Sequence, residues 1–141
     1  LTHSGLSMVE WKLIGGTIPP LNETAWQETF TKYQQFPEYQ KINKGMTLSE
    51  FKTIFFWEYL HRLLGRIIGL VLIIPFLLFW KKKWLDKKLK KQLIVLLLLG
   101  ALQGFLGWFM VQSGLVDVPA VSHFRLAIHL ITAFTLIIYI Y

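Results

Sequence analysis

The chain is 141 residues long, 54% hydrophobic and 16% aromatic, with a mean hydropathy of +0.47 and a formal net charge of +7. Apolar content this high excludes an ordinary water-soluble domain and points to lipid as the solvent. The absence of cysteine excludes a disulfide framework, a thiolate metal site and a cysteine-linked prosthetic group.

Residues 1–52 carry five lysines against five glutamates and read as an external segment with short helices. The chain opens on Leu1 with no charged stretch and apolar core of a signal peptide, so it reads as an internal piece of a longer protein. "GGTIPP", residues 15–20, is a turn. Thr24 followed by Gln27 resembles a capping box. Trp26, Phe30 and Tyr33 then share one helical face, and Pro37 is expected to end that helix. The face has two readings, a lipid-interface contact or a lid over a site below.

Thr47 and Glu50 in "MTLSEF" form a second capping-box pattern, which predicts a helix from about Leu48 into a first span over residues 53–80. Such a helix would be about 50 Å long at ~1.5 Å per residue, against an apolar core of about 30 Å, so its first turns project from the membrane. Pro75 is expected to kink its inner half, which neighbouring helices make tolerable. A lysine-rich loop follows at 81–92; its "KKKWLDKKLKK" carries seven lysines against Asp86. Lysine beside span ends stays inside, so this loop is cytoplasmic or matrix-facing and residues 1–52 lie outside. Attraction to anionic lipid is a second use of these lysines; their confinement to one loop argues against a nucleic-acid partner.

Residues 93–112 form a second span, within a stretch free of charge from 93 to 116; residues 113–123 an external loop; and residues 124–141 a third span, read as truncated because a span needs about 20 residues. A neutral external segment of this length implies an upstream span. The fold class expected is therefore all-α, a polytopic membrane helical bundle forming part of a four-helix half, with short amphipathic helices in an external loop.

"FFWEYLHRLLGR", residues 55–66, places Glu58, His61, Arg62 and Arg66 within the first span. At about 100° per residue these four, with Gly65 and Gly69, lie within roughly 140° of arc, so one side faces protein or a cavity and the other faces lipid. Each charge costs roughly 2.5–3.5 kcal/mol to insert, which demands pairing or function. Glu58 and Arg62 at i, i+4 can form an ion pair, with Arg66 snorkelling. That assembly role leaves His61 unexplained, although a histidine in a span is also a common interhelical hydrogen-bond partner.

The third span enters from the same side with His123, Arg125 and His129. With the apolar core starting near Ile54 and Phe124, His61 lies about 10 Å deep and His129 about 8 Å deep. Two level imidazoles on different helices suit axial ligation of a haem iron standing between them. A metal ion with Glu58 as third ligand is the alternative. His123 at the boundary and His3 farther out read as solvated. On the second span Gly100, Gly104 and Gly107 share a side with Gln103, giving either close helix packing or room for a flat ligand with Gln103 as a hydrogen-bond donor.

"LTHSGLSMVEW", "FPEY…NKGMTLSEFK", "WEYLHRLLGRIIG", "LQGFLGWFMVQSGL" and "VSHFRLAIHL" resemble, in this order, the haem A synthase family in its mitochondrial and related bacterial form. The resemblance covers nearly the whole chain. It implies an eight-span protein of two similar four-helix halves, of which this chain matches the first without its opening span. It implies oxidation of the ring methyl of haem O to the formyl of haem A, with oxygen derived from water, for cytochrome oxidase. The substrate haem belongs to this half and a haem b cofactor to the second, in the bacterial cytoplasmic or mitochondrial inner membrane.

Carried onto the matching positions, the resemblance makes His61 and His129 haem-iron ligands and Glu58 the acidic catalytic residue. Arg125, nearest the wet end, is the first choice to pair with haem propionates, ahead of Arg62 and Arg66. The outer-loop cysteine pair of some relatives is absent here. Expected partners are membrane lipid, haem O and the enzyme that makes it, an electron acceptor and a second copy of the protein. A half bundle is expected to be inactive alone. A bis-His membrane cytochrome b, which does not need Glu58, and a proton or ion carrier, which needs no haem, are the competing readings.

Overall fold

A computed structural model describes residues 6–10, 18–116 and 119–141, and every regular element among them is helical. His3 and residues 15–17 of the expected "GGTIPP" turn lie outside the described residues.

Helix α1 spans Glu23–Tyr33 and is capped by Asn22, whose side-chain oxygen accepts from the Ala25 N–H at 2.8 Å. This corrects the Thr24–Gln27 expectation: the N-cap is Asn22, two residues earlier, and its side chain meets the N–H of Ala25 instead of that of Gln27. The helix stops at Tyr33, and Pro37 begins a new one instead of ending the old. In α2, Pro37–Lys41, proline occupies the first turn, where its missing N–H costs no hydrogen bond.

Helix α3 runs Leu48–Lys81 and has the complete capping box: the Thr47 hydroxyl accepts from the Glu50 N–H while the Glu50 carboxylate accepts from the Thr47 N–H at 2.8 Å. Its 34 residues reach about 51 Å, longer than an apolar core of about 30 Å. Helix α4, Lys87–Gln112, is capped by Asp86 and so begins before the apolar stretch, taking four of the lysines into its first turns. Helix α5 covers His123–Ile140. Three helices, α3, α4 and α5, are long and apolar enough to cross a membrane.

The cores of the two parts differ. Over the first turns of α3, Phe51 is fully buried and Phe55 nearly so, packed by Met8, Phe30 and Tyr33 with Trp26 and Tyr39 alongside. Tyr33 stacks on Phe51 with ring centres 5.0 Å apart, and Trp26 meets Phe55 edge-on at 5.1 Å. The α1 face therefore folds down onto α3 as a cap, and the apolar seal between them comes from aromatic area. Below it, α4 packs on α5 and on α3, while Ile68, Val71, Phe105, Ile131 and Ile138 remain outward-facing. Helices whose backbone bonds are satisfied internally need no dry core of their own in lipid.

Candidate functional site

The site is built where the cap meets the upper turns of α3. Glu58 is 6% exposed, and its Oε2 accepts from the Ser7 hydroxyl at 2.7 Å and from the Met8 N–H at 2.8 Å. Its Oε1 pairs with Arg62, the i, i+4 neighbour. Arg62 also donates to the Met8 carbonyl at 3.0 Å and, through Nη1, to the Glu10 carbonyl at 3.4 Å. A buried carboxylate is stable when charged donors and N–H groups replace its lost water. Segment 6–10 supplies two of these groups and is itself held by the pair.

The same segment touches the second hairpin. Leu6 lies over Gly114, where an added Cβ would come within 2.7 Å of Leu6 Cδ2. Gly114 sits in the α4–α5 connection, which Ser113 closes by donating to the Met110 carbonyl and accepting from the Ser122 N–H at 2.8 Å. Residues 6–8 thus bridge α3 and the α4–α5 turn. Pairing between Ser7 and a residue 51 positions away has no signature in local sequence pattern. The ion pair does, because i, i+4 on a helix is a fixed neighbourhood.

Of the two histidines, His61 is exposed on α3 and His129 is half-buried on α5, within electrostatic reach of one another. His129 rests on α4. Gln103 Nε2 donates to the His129 carbonyl at 3.1 Å and stands 3.4 Å from its Nε2, while a Cβ at Gly107 would lie 3.2 Å from its Cε1. Gly107 is thus the glycine of α4 against which the ring lies closely, whereas Gly100 and Gly104 border open space. Gln103 is tied into the α4–α5 contact rather than standing alone as a pocket donor.

Arg125 donates to the Phe109 carbonyl at 2.8 Å and stacks over the Phe109 ring at 3.8 Å. It therefore reinforces the C-terminal end of α4, where unpaired carbonyls favour a cation. Arg66 is half-buried on the face of α3 that carries Arg62, and His123 is exposed at the start of α5. No three His, Asp or Glu side chains among the described residues converge as a metal-ion site. The donor set that fits a group between α3 and α5 is two imidazoles, and the fit is supported by a His129 Nδ1 that is buried without a hydrogen-bond partner. That is the donor set of a bis-imidazole haem.

These features define a class: a multi-pass membrane protein with histidines on separate spans and a buried glutamate–arginine pair sealed by a folded cap. The chain belongs to the cytochrome oxidase assembly protein family, COX15-CtaA, whose profile it matches over residues 1–141. It is 58% identical over 136 residues to the heme A synthase of Flavobacterium psychrophilum, covering 95% of this chain and 40% of that protein. The heme A synthase of Paramagnetospirillum magneticum is 57% identical over 134 residues, covering 95% and 38%. That of Brucella ovis is 52% identical over 137 residues, covering 97% and 38%. The chain thus spans about two-fifths of the length of these curated relatives. No solved structure matches it. The resemblance read from five motifs and the family membership agree.

Proposed function

We propose that this chain is part of a haem A synthase, that it receives haem O between α3 and α5, and that His61 and His129 ligate the iron. The observation that carries the reading is the juxtaposition on one face of α3 of His61 with the buried Glu58–Arg62 pair, opposite His129. An electron carrier needs the histidines alone. A buried carboxylate held by three donors beside them calls for proton or charge management.

Conversion of the ring methyl to a formyl takes up the oxygen of one water and releases four protons with four electrons, the electrons passing to an acceptor outside the chain. Bound iron supplies the redox centre. Glu58 takes up a proton or balances positive charge developing at the carbon. For protonation one of its donors has to yield, and Ser7 is suited to it, because a rotating hydroxyl turns from donor to acceptor. Arg62 and the Met8 N–H hold the carboxylate in place meanwhile. Arg125, nearest the outer end of α5, is the first arginine for the haem propionates, exchanging its bond to the Phe109 carbonyl for a carboxylate, ahead of Arg62 and Arg66. With the lysine-rich end of α4 inside, the cap and the propionate end face outward.

The test is haem extraction and mass spectrometry on membranes of a haem O-producing strain that lacks its own synthase. Glu58→Gln is expected to retain bound haem and yield no haem A, and His61→Ala to lose the haem of this site. Haem A formed at the wild-type level by Glu58→Gln would remove Glu58 from the chemistry; unmodified haem from the folded wild type would favour the cytochrome reading.

A further inference from the structure

Lys87, Lys90, Lys91, Ile94 and Val95 line an open groove of about 440 Å³ at the start of α4. Their spacing, i, i+3, i+4, i+7 and i+8, makes them a single stripe of the helix, cationic over its first turns and apolar beyond them, with exposed Leu98 continuing it. Helix α5 lies against the other side of α4, where the Gln92 carbonyl accepts from the Tyr139 hydroxyl at 3.3 Å and Gln103 binds the His129 carbonyl. None of the three lysines is in an ion pair among the described residues. Asp86, the one acid of residues 81–91, directs its carboxylate to the Leu89 N–H at 2.6 Å. Lysines at the N-terminal end of a helix oppose its dipole, a conflict that a bound anion removes. Lys90 is also held in place: its ammonium lies 3.8 Å from the centre of the Trp80 ring on α3, a contact that leaves N–H donors for a second partner.

We propose that this stripe binds one anionic phospholipid, its phosphate held by Lys87, Lys90 and Lys91 and an acyl chain lying along Ile94, Val95 and Leu98. The order of groups along α4 matches the order of groups in the ligand: charge at the end of the span, where headgroups lie, and hydrocarbon deeper. A soluble phosphate would use only the cationic half of the stripe, and a zwitterionic lipid would bring its own cation against the lysines. The site is narrower than the general attraction of a lysine-rich loop for an anionic surface, because it selects three of the seven lysines in residues 81–91. Through Lys90, which also covers Trp80, the bound lipid fastens the start of α4 to the end of α3.

The experiment is native mass spectrometry on the full-length protein that contains this chain, titrated in detergent with phosphatidylglycerol or phosphatidylcholine, the site being read as the difference between variants. Replacing Lys87, Lys90 and Lys91 by Gln together is expected to weaken phosphatidylglycerol binding on the order of 100-fold, about fivefold for each cation removed from the headgroup. Replacing Lys81, Lys82 and Lys88 by Gln removes the same charge from outside the groove and is expected to change binding less than about threefold, since diffuse attraction is all those lysines supply. Equal losses in the two triple variants would overturn the inference in favour of diffuse charge attraction. Equal binding of phosphatidylcholine, or release of phosphatidylglycerol by excess inorganic phosphate, would also overturn it, the second by making the groove a bare anion site. If the first triple variant does not accumulate in the membrane, Lys90→Gln decides alone: a loss of about fivefold supports the site, and unchanged binding refutes it.

Discussion

Glu38 is the second carboxyl that this fold buries, at 3% exposure, and its treatment differs from that of Glu58. Glu58 meets an arginine, whereas Glu38 accepts from the Tyr33 hydroxyl at 3.2 Å, which in turn accepts from Asn43 at 2.7 Å. Burial pushes the Glu38 pKa up to about 7, with the charge of Glu58 adding to the rise against the Tyr33 hydrogen bond. Because the folded value lies above the unfolded one, the cap binds a proton that the unfolded chain releases. Its stability is complete below the ordinary carboxylate range and declines as pH rises through about 7. Glu38→Gln, which keeps an acceptor for Tyr33, is expected to flatten that decline and to stabilise the cap at neutral pH by on the order of 1–3 kcal/mol. Thermal unfolding of the purified protein at a series of pH values checks it; an unchanged slope would mean that Glu38 is hydrated.

At the scale of elements, boundaries follow from capping chemistry more than from apolar content. Asn22, Thr47 and Asp86 each accept from an N–H three residues on, and each begins its helix at the next residue. Thr47 is the one whose loss propagates, because the first turn of α3 presents Phe51 to the cap. Thr47→Ala is expected to cost about 1 kcal/mol, read as faster amide exchange over residues 48–51, with the lower spans of α3 unaffected. The lysines at 87–91 illustrate the same point from the other end. They sit on helix, and Lys90 reaches back over the Trp80 ring at 3.8 Å, joining the ends of α3 and α4.

For the whole molecule, two solvents divide the work. The cap is held as a water-soluble core is held, by area removed from water around Phe51, while the spans stay outward-facing and apolar. Phe51→Ala is expected to cost about 3–5 kcal/mol and to release the cap, exposing residues 18–46 to limited proteolysis while the three spans remain inserted. Because Met8 belongs to the same cluster and its N–H bonds Glu58, loosening the cap also loosens the carboxylate. On the proposed function, a variant with an intact span bundle and mobile cap is expected to lose haem A formation before it loses haem.

Sequence by itself determined what depends on near neighbours. Three apolar runs, the Thr47–Glu50 box, the Glu58–Arg62 pair at i, i+4 and the shared face with His61 are all consequences of helix period and side-chain polarity. Five motifs in order were enough for the family. Only the tertiary structure decided that Ser7 and Met8 close over Glu58, that Leu6 needs Gly114, that Glu38 is buried against Tyr33, and that Gln103 grips His129 rather than lining open space. Each of those is a contact between elements whose approach is set by aromatic packing of the cap, by Gly107 of α4 and by Gly114 after it. No spacing along one segment encodes the distance to another.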